Sequence, residues 1–86
     1  MPSVNDVKLQ VAASVDQTQR ALAGLRGVTD QLDEALSRLR LTALGTAHPA
    51  LADAISRLEQ AKIRLEEAAS LARAGADSAD SYRALA

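Results

Sequence analysis

Apolar side chains recur along this chain at alternating spacings of three and four residues, the period of an amphipathic helix with one buried stripe. In the first half they fall into two columns. Val4, Val11, Thr18, Leu25, Leu32 and Leu39 form one, and Lys8, Val15, Leu22, Thr29, Leu36 and Ala43 form the other. Lys8, Thr18 and Thr29 are the polar misfits. A third column, Val7, Ser14, Ala21, Val28, Ala35 and Thr42, is small or apolar as well. It widens the stripe to about three positions in seven, a width that suits a bundle better than a two-stranded coiled coil.

The opposite side carries Asp16, Arg20, Glu34 and Arg38, with Asp16 to Arg20 and Glu34 to Arg38 at the supportive i,i+4 spacing. Gly24 and Gly27 also fall on this solvent side. Ser3 and Asp6 form a capping pair that starts the helix at about Val4.

The pattern breaks once, at Leu44-Gly45-Thr46-Ala47-His48-Pro49. Gly45 is expected to close the first helix in the left-handed conformation, and Pro49 suits the first position of a second helix. The seam of that second helix runs through Leu51, Ile55, Leu58, Lys62, Leu65, Ala69 and Ala72, flanked by Ala54, Ala61 and Ala68. Its residues shrink with distance from the turn. An antiparallel arrangement sets Leu39 near Ile55, Leu36 near Leu58, Leu22 near Ala72 and Leu25 near Ala68 and Ala69, large against large near the turn and large against small beyond it. Lys62 lays its methylenes along this seam and pairs with Glu66 or, across it, with Asp33. Gly75 is a candidate helix end, but matching the two arms at 1.5 Å per residue favours continuation to about Arg83, which brings Tyr82 beside Val7 and Val11.

The expected fold is therefore all-α: one unit over residues 1–86, helix one at about 4–44, a turn at 45–48, and helix two at 49–74 continuing to about 83. Two helices share a single seam and leave much of each stripe uncovered, so dimerisation into a four-helix bundle is expected. The seam and dimer residues are Val11, Val15, Leu22, Leu25, Leu32, Leu36, Leu39, Leu51, Ile55, Leu58 and Leu65. Ile63, Leu71, Tyr82 and Leu85 are candidates for a further partner surface, and the off-seam apolars Leu9, Leu41 and Leu44 strengthen the case for a covering partner.

Composition narrows the function classes. The 86 residues are 48% hydrophobic but only 1% aromatic, so the apolar matter is Leu, Val, Ile and above all Ala. A formal charge of −1 gives no draw toward polyanions, and the scattered arginines have no aromatic platforms between them, so neither nucleic acid nor a membrane surface is an expected partner. No apolar run approaches the roughly 20 residues of a membrane span, and the N-terminus lacks the order of a secretory signal. Without cysteine there is neither disulfide nor thiolate site.

Chemistry finds little to work with. His48 is the sole histidine and lies in the turn as a cap or solvent-facing residue, with no Glu three positions before it for a di-metal motif. The adjacent acids Asp33-Glu34 and Glu66-Glu67 diverge on a helix and cannot share a substrate atom. No catalytic, cofactor-binding or metal-binding residue is assigned, and no small-molecule substrate is expected. The expected function is non-enzymatic protein–protein contact, with a homodimer or a related hairpin as partner; the alternative is a purely structural homo-oligomer.

The layout resembles the small helical hairpins of actinobacteria related to the WXG-type substrates of type VII secretion. Leu44-Gly45 occupies the turn where such proteins carry Trp-x-Gly, with Ala43 at the Trp position. Tyr82 stands where a C-terminal signal tyrosine would, while the acidic residue expected four positions later is Ala86. Thr46-Ala47-His48-Pro49-Ala50-Leu51 also looks like small proteins of such bacteria and like leading segments of some polymorphic toxins. The resemblance implies dimeric packing and a secretion-associated adaptor. The expected location is the cytoplasm, with export lacking a cleavable signal peptide as the other possibility.

Overall fold

The structure, a computed structural model, describes all 86 residues and consists of two antiparallel helices, α1 (Val4–Ala43) and α2 (Pro49–Leu85). The hairpin is a rod with extents of 64 × 19 × 15 Å. No helix is long and apolar enough to cross a membrane.

Local chemistry accounts for both helix starts. The Ser3 hydroxyl accepts from the Asp6 N–H at 3.1 Å, and the Asp6 carboxylate accepts from the Ser3 N–H at 3.2 Å, a reciprocal cap that also places a carboxylate at the positive end of the α1 dipole. His48 caps α2: its Nδ1 accepts from the Ala50 N–H at 3.1 Å, and Pro49 supplies the first turn. The turn itself differs from the expectation for Gly45. No residue in the chain has positive φ. Leu44 stays in the right-handed region at φ −61°, ψ −27°, and the helix tightens instead, with the Gly45 N–H donating to Thr42 O at 3.1 Å and the Thr46 N–H to Ala43 O at 3.2 Å. These i→i+3 bonds occupy the terminal carbonyls without a left-handed residue.

Helix α2 passes through Gly75 without a break. The reason is visible in its burial pattern: Ala69, Ala72, Ala76, Ala79 and Arg83 stay covered at the same three-and-four spacing as Leu51, Ile55, Leu58 and Leu65. The seam thus continues to the open end of the hairpin, and one glycine, at about 1 kcal/mol relative to Ala, does not outweigh it.

Three residues are buried, Val15, Leu36 and Ala76, and only Leu36 is fully enclosed, at 1% exposure. Val11, Leu22, Leu25, Leu32, Leu39, Leu51, Ile55, Leu58 and Leu65 are half-buried along the seam. Of the expected third column only Val7 and Ala35 are covered; Ser14, Ala21, Val28 and Thr42 face solvent. A single partner helix shelters two columns, and the third lies outside its reach.

Candidate interaction surface

Because both helices keep one heptad phase from end to end, the hairpin has two broad faces, one on each side of the plane that holds the helix axes. Ion pairs mark the first. Near the turn Arg40 donates to Glu59 at 2.7 Å, and toward the middle the Lys62 ammonium lies 2.6 Å from Asp33 and 3.9 Å from Glu66. The hydrogen bond to Asp33 is the main reason that Lys62 is held above the ordinary lysine value of 10.5; partial burial opposes it, and the charges of Asp33 and Glu66 add to it. At the open end the same face carries Lys8, Asp80 and Arg83 around a groove with Leu9 and Ala12. Asp80 Oδ1 is covered and accepts no hydrogen bond, and the Arg83 guanidinium approaches it only to 3.5 Å. Asp16, Arg26, Asp30, Arg73 and Asp77 fall on this side by phase. It is a solvated, charged face whose exposed pairs contribute roughly 0–1 kcal/mol each.

The second face is of another kind. Grooves along it are lined by Val7, Gln10, Val11, Ser14 and Ala79, with the capping carboxylate of Asp6 at the open end, and further in by Ser14, Thr18, Ala72, Gly75 and Ala76. Following the phase of these residues, α1 contributes Val7, Gln10, Ser14, Gln17, Ala21, Gly24, Val28, Gln31 and Ala35, without a charge among them. Level with the part of α1 from Val7 to about Val28, α2 contributes Ala68, Leu71, Gly75, Ser78, Tyr82 and Leu85, again uncharged. Charge returns only toward the turn, with Arg38, Arg57 and Arg64. Arg57 pairs with Asp53 at 2.9 Å; Arg38 and Arg64 have no acidic partner. In particular Glu34 and Arg38, spaced for a pair in the sequence, do not form one, whereas Asp16 and Arg20 do at 2.8 Å.

This division sorts the off-seam apolar residues. Ile63 lies on the charged face in a groove with Lys62, Glu59 and Glu66, and Leu9 shares that side. Leu71, Tyr82 and Leu85 lie on the uncharged face, with exposures of 75%, 42% and 89%. The four residues grouped in the sequence as one further surface therefore belong to two. Beside Val7 and Val11 the α2 residue lining the groove is Ala79 rather than Tyr82. Leu41 and Leu44 are exposed toward the turn.

No group of three or more His, Cys, Asp or Glu side chains converges in a way that could hold a metal ion. No family model, curated protein or solved structure matches the chain.

Proposed function

We propose that the chain is a non-enzymatic interaction module that works by packing its helices against further helices, its own copy or a related hairpin, in a four-helix arrangement. One observation carries the reading: only Val15, Leu36 and Ala76 are buried, while Val28, Leu71, Tyr82 and Leu85 are held out on the less charged face. Burying a large apolar side chain contributes about 1.5–3 kcal/mol, and a lone hairpin leaves much of that unrealised. Light scattering together with melting at several protein concentrations tests it. The expected result is a mass above one chain and a midpoint that rises with concentration; a well-ordered single copy whose melting ignores concentration refutes self-association.

Export as a secretion-associated adaptor is a second reading, supported by the exposure of Tyr82 in the last turns of α2, where the resembling hairpins carry their signal tyrosine. Removing residues 75–86 is a poor test, because it also removes Ala76, Ala79 and Arg83 from the seam. Tyr82→Ala leaves the seam intact. Unchanged secretion of that variant by an actinobacterial host refutes a signal role.

A further inference from the structure

We infer that two copies of this chain pair through the uncharged broad face with their turns at opposite ends, and that Arg38, Arg57 and Arg64 fix this orientation. The inference rests on the self-association proposed above and specifies its surface and geometry.

The choice of face follows from desolvation. Packing the charged face against anything strips water from Asp16, Asp30, Asp77 and the Lys62 network, whereas the other face presents mainly alanine, glycine, glutamine and apolar side chains. The stretch uncharged on both helices, from Val7 to about Val28 in α1, is roughly 32 Å, and the rod is 19 Å wide. That gives about 600 Å² per copy, the low end of one side of a stable protein–protein interface.

Orientation follows from the arginines. A parallel pair stacks both turn ends and gathers two copies of Arg38 and Arg64, which have no acidic partner, beside two copies of Arg57, which Asp53 already offsets. Reversing one copy separates the clusters by most of the rod. In a reversed twofold pair each helix lies along its own counterpart, and the 1.5 Å rise sets the register. The centre falls near Gly24 and Ala68, where small residues permit close approach. Leu71 then meets Ala68 of the second copy, Val28 meets the region of Ala21, and Leu85 meets the region of Ala54. Arg57 comes beside the Tyr82 ring of the second copy, a cation–π placement. At Leu71, Val28 and Leu85 a large side chain opposes a small one, as close packing requires.

The full chain contains no cysteine, so single-cysteine variants can be labelled cleanly. Spin labels at Thr46→Cys, in the turn and away from the face, are expected about 60 Å apart in the dimer, close to the 64 Å length of the rod. A separation below about 20 Å, with a dimeric mass, overturns the orientation while leaving self-association standing. A glutamate on the face, Ala21→Glu, is expected to raise the dimer dissociation constant about a hundredfold or more, while Ala23→Glu on the charged face leaves it within a few-fold. The reverse ranking overturns the choice of face. A monomeric wild-type mass overturns self-association itself, and species that grow beyond a dimer overturn the closed twofold pair. Circular dichroism at high protein concentration checks that each variant retains its helices.

Discussion

Leu36 is the one large side chain that the hairpin encloses completely, and Leu36→Ala is the substitution that best measures the seam. At 1% exposure its removal forfeits the whole transfer term of the deleted methyl groups and leaves a space behind them, a combination worth about 2.7–5.0 kcal/mol in packed cores. Here the lower end applies, about 2.5–3 kcal/mol, because Leu36 borders the groove that holds Lys62 and Asp33, where side chains and water have room to move in. A chain of this length has a total stability of roughly 4–13 kcal/mol, so the loss is a large share of it. Expressed as temperature, the midpoint falls by roughly 10–20 °C. The assay is urea and thermal denaturation followed by circular dichroism at fixed protein concentration. Leu41→Ala is the control in the same helix: Leu41 is 70% exposed, and its loss is expected to change stability by less than about 0.5 kcal/mol. If the two variants shift the midpoint equally, the seam does not run where Leu36 places it and the reasoning from burial fails.

Other perturbations probe the turn, the cap and the cross-seam pair. Gly45→Ala is expected to keep or raise stability, by up to about 1 kcal/mol, since Gly45 has no positive φ and an added Cβ meets only Thr42 O at an ordinary 3.6 Å; a loss above 1 kcal/mol in urea titration refutes that account of the turn. Gly27→Ala, on the outer side with nothing within 4 Å of an added Cβ, is expected to stabilise by about 0.5–1 kcal/mol. His48→Asp puts a stronger cap and a negative charge at the start of α2, which has no acid in its first turn, and a gain of about 0.5 kcal/mol in the denaturation midpoint is expected. Lys62 is held above 10.5 chiefly by its hydrogen bond to Asp33, so its contribution is whole below 10.5 and disappears as the pH rises through the higher folded value. Urea midpoints of the wild type should therefore decline in strong alkali more steeply than those of Lys62→Met, and parallel profiles for the two proteins count against the pair.

What the sequence reveals about this fold is whatever depends on one helix at a time. The reciprocal Ser3–Asp6 cap, the Pro49 start and the three-and-four spacing are local, and they lead directly to the hairpin. The continuation of α2 past Gly75 follows from comparing two lengths, which is also within reach of the sequence. Gly45 misled because glycine after a helix is compatible with two closures, and the i→i+3 bonds of Gly45 and Thr46 need no left-handed residue. Val28 and Ala21 looked part of a wide buried stripe, yet only one neighbouring helix is present to cover it. The two faces depend on both helices at once. Ile63 and Leu71 both stand off the seam in α2, and which side each occupies depends on the phase of α1 as well, since Asp33 and Arg40 across the seam are what make the Ile63 side charged.

The dwindling of the α2 seam from Leu51, Ile55 and Leu58 to Ala72, Ala76 and Ala79 has a consequence for how the rod forms and comes apart. Contacts near the bend close short loops and carry the bulkiest side chains, whereas those at the termini close the longest loops with methyl groups alone. Assembly should accordingly zip outward from the bend, and spontaneous opening should begin where the two chain ends meet, with amide protons near Val7 and Ala79 exchanging before those near Leu36 and Leu58. The free tips are the part of the molecule that a second rod, clasping across Tyr82 and Leu85, would steady most.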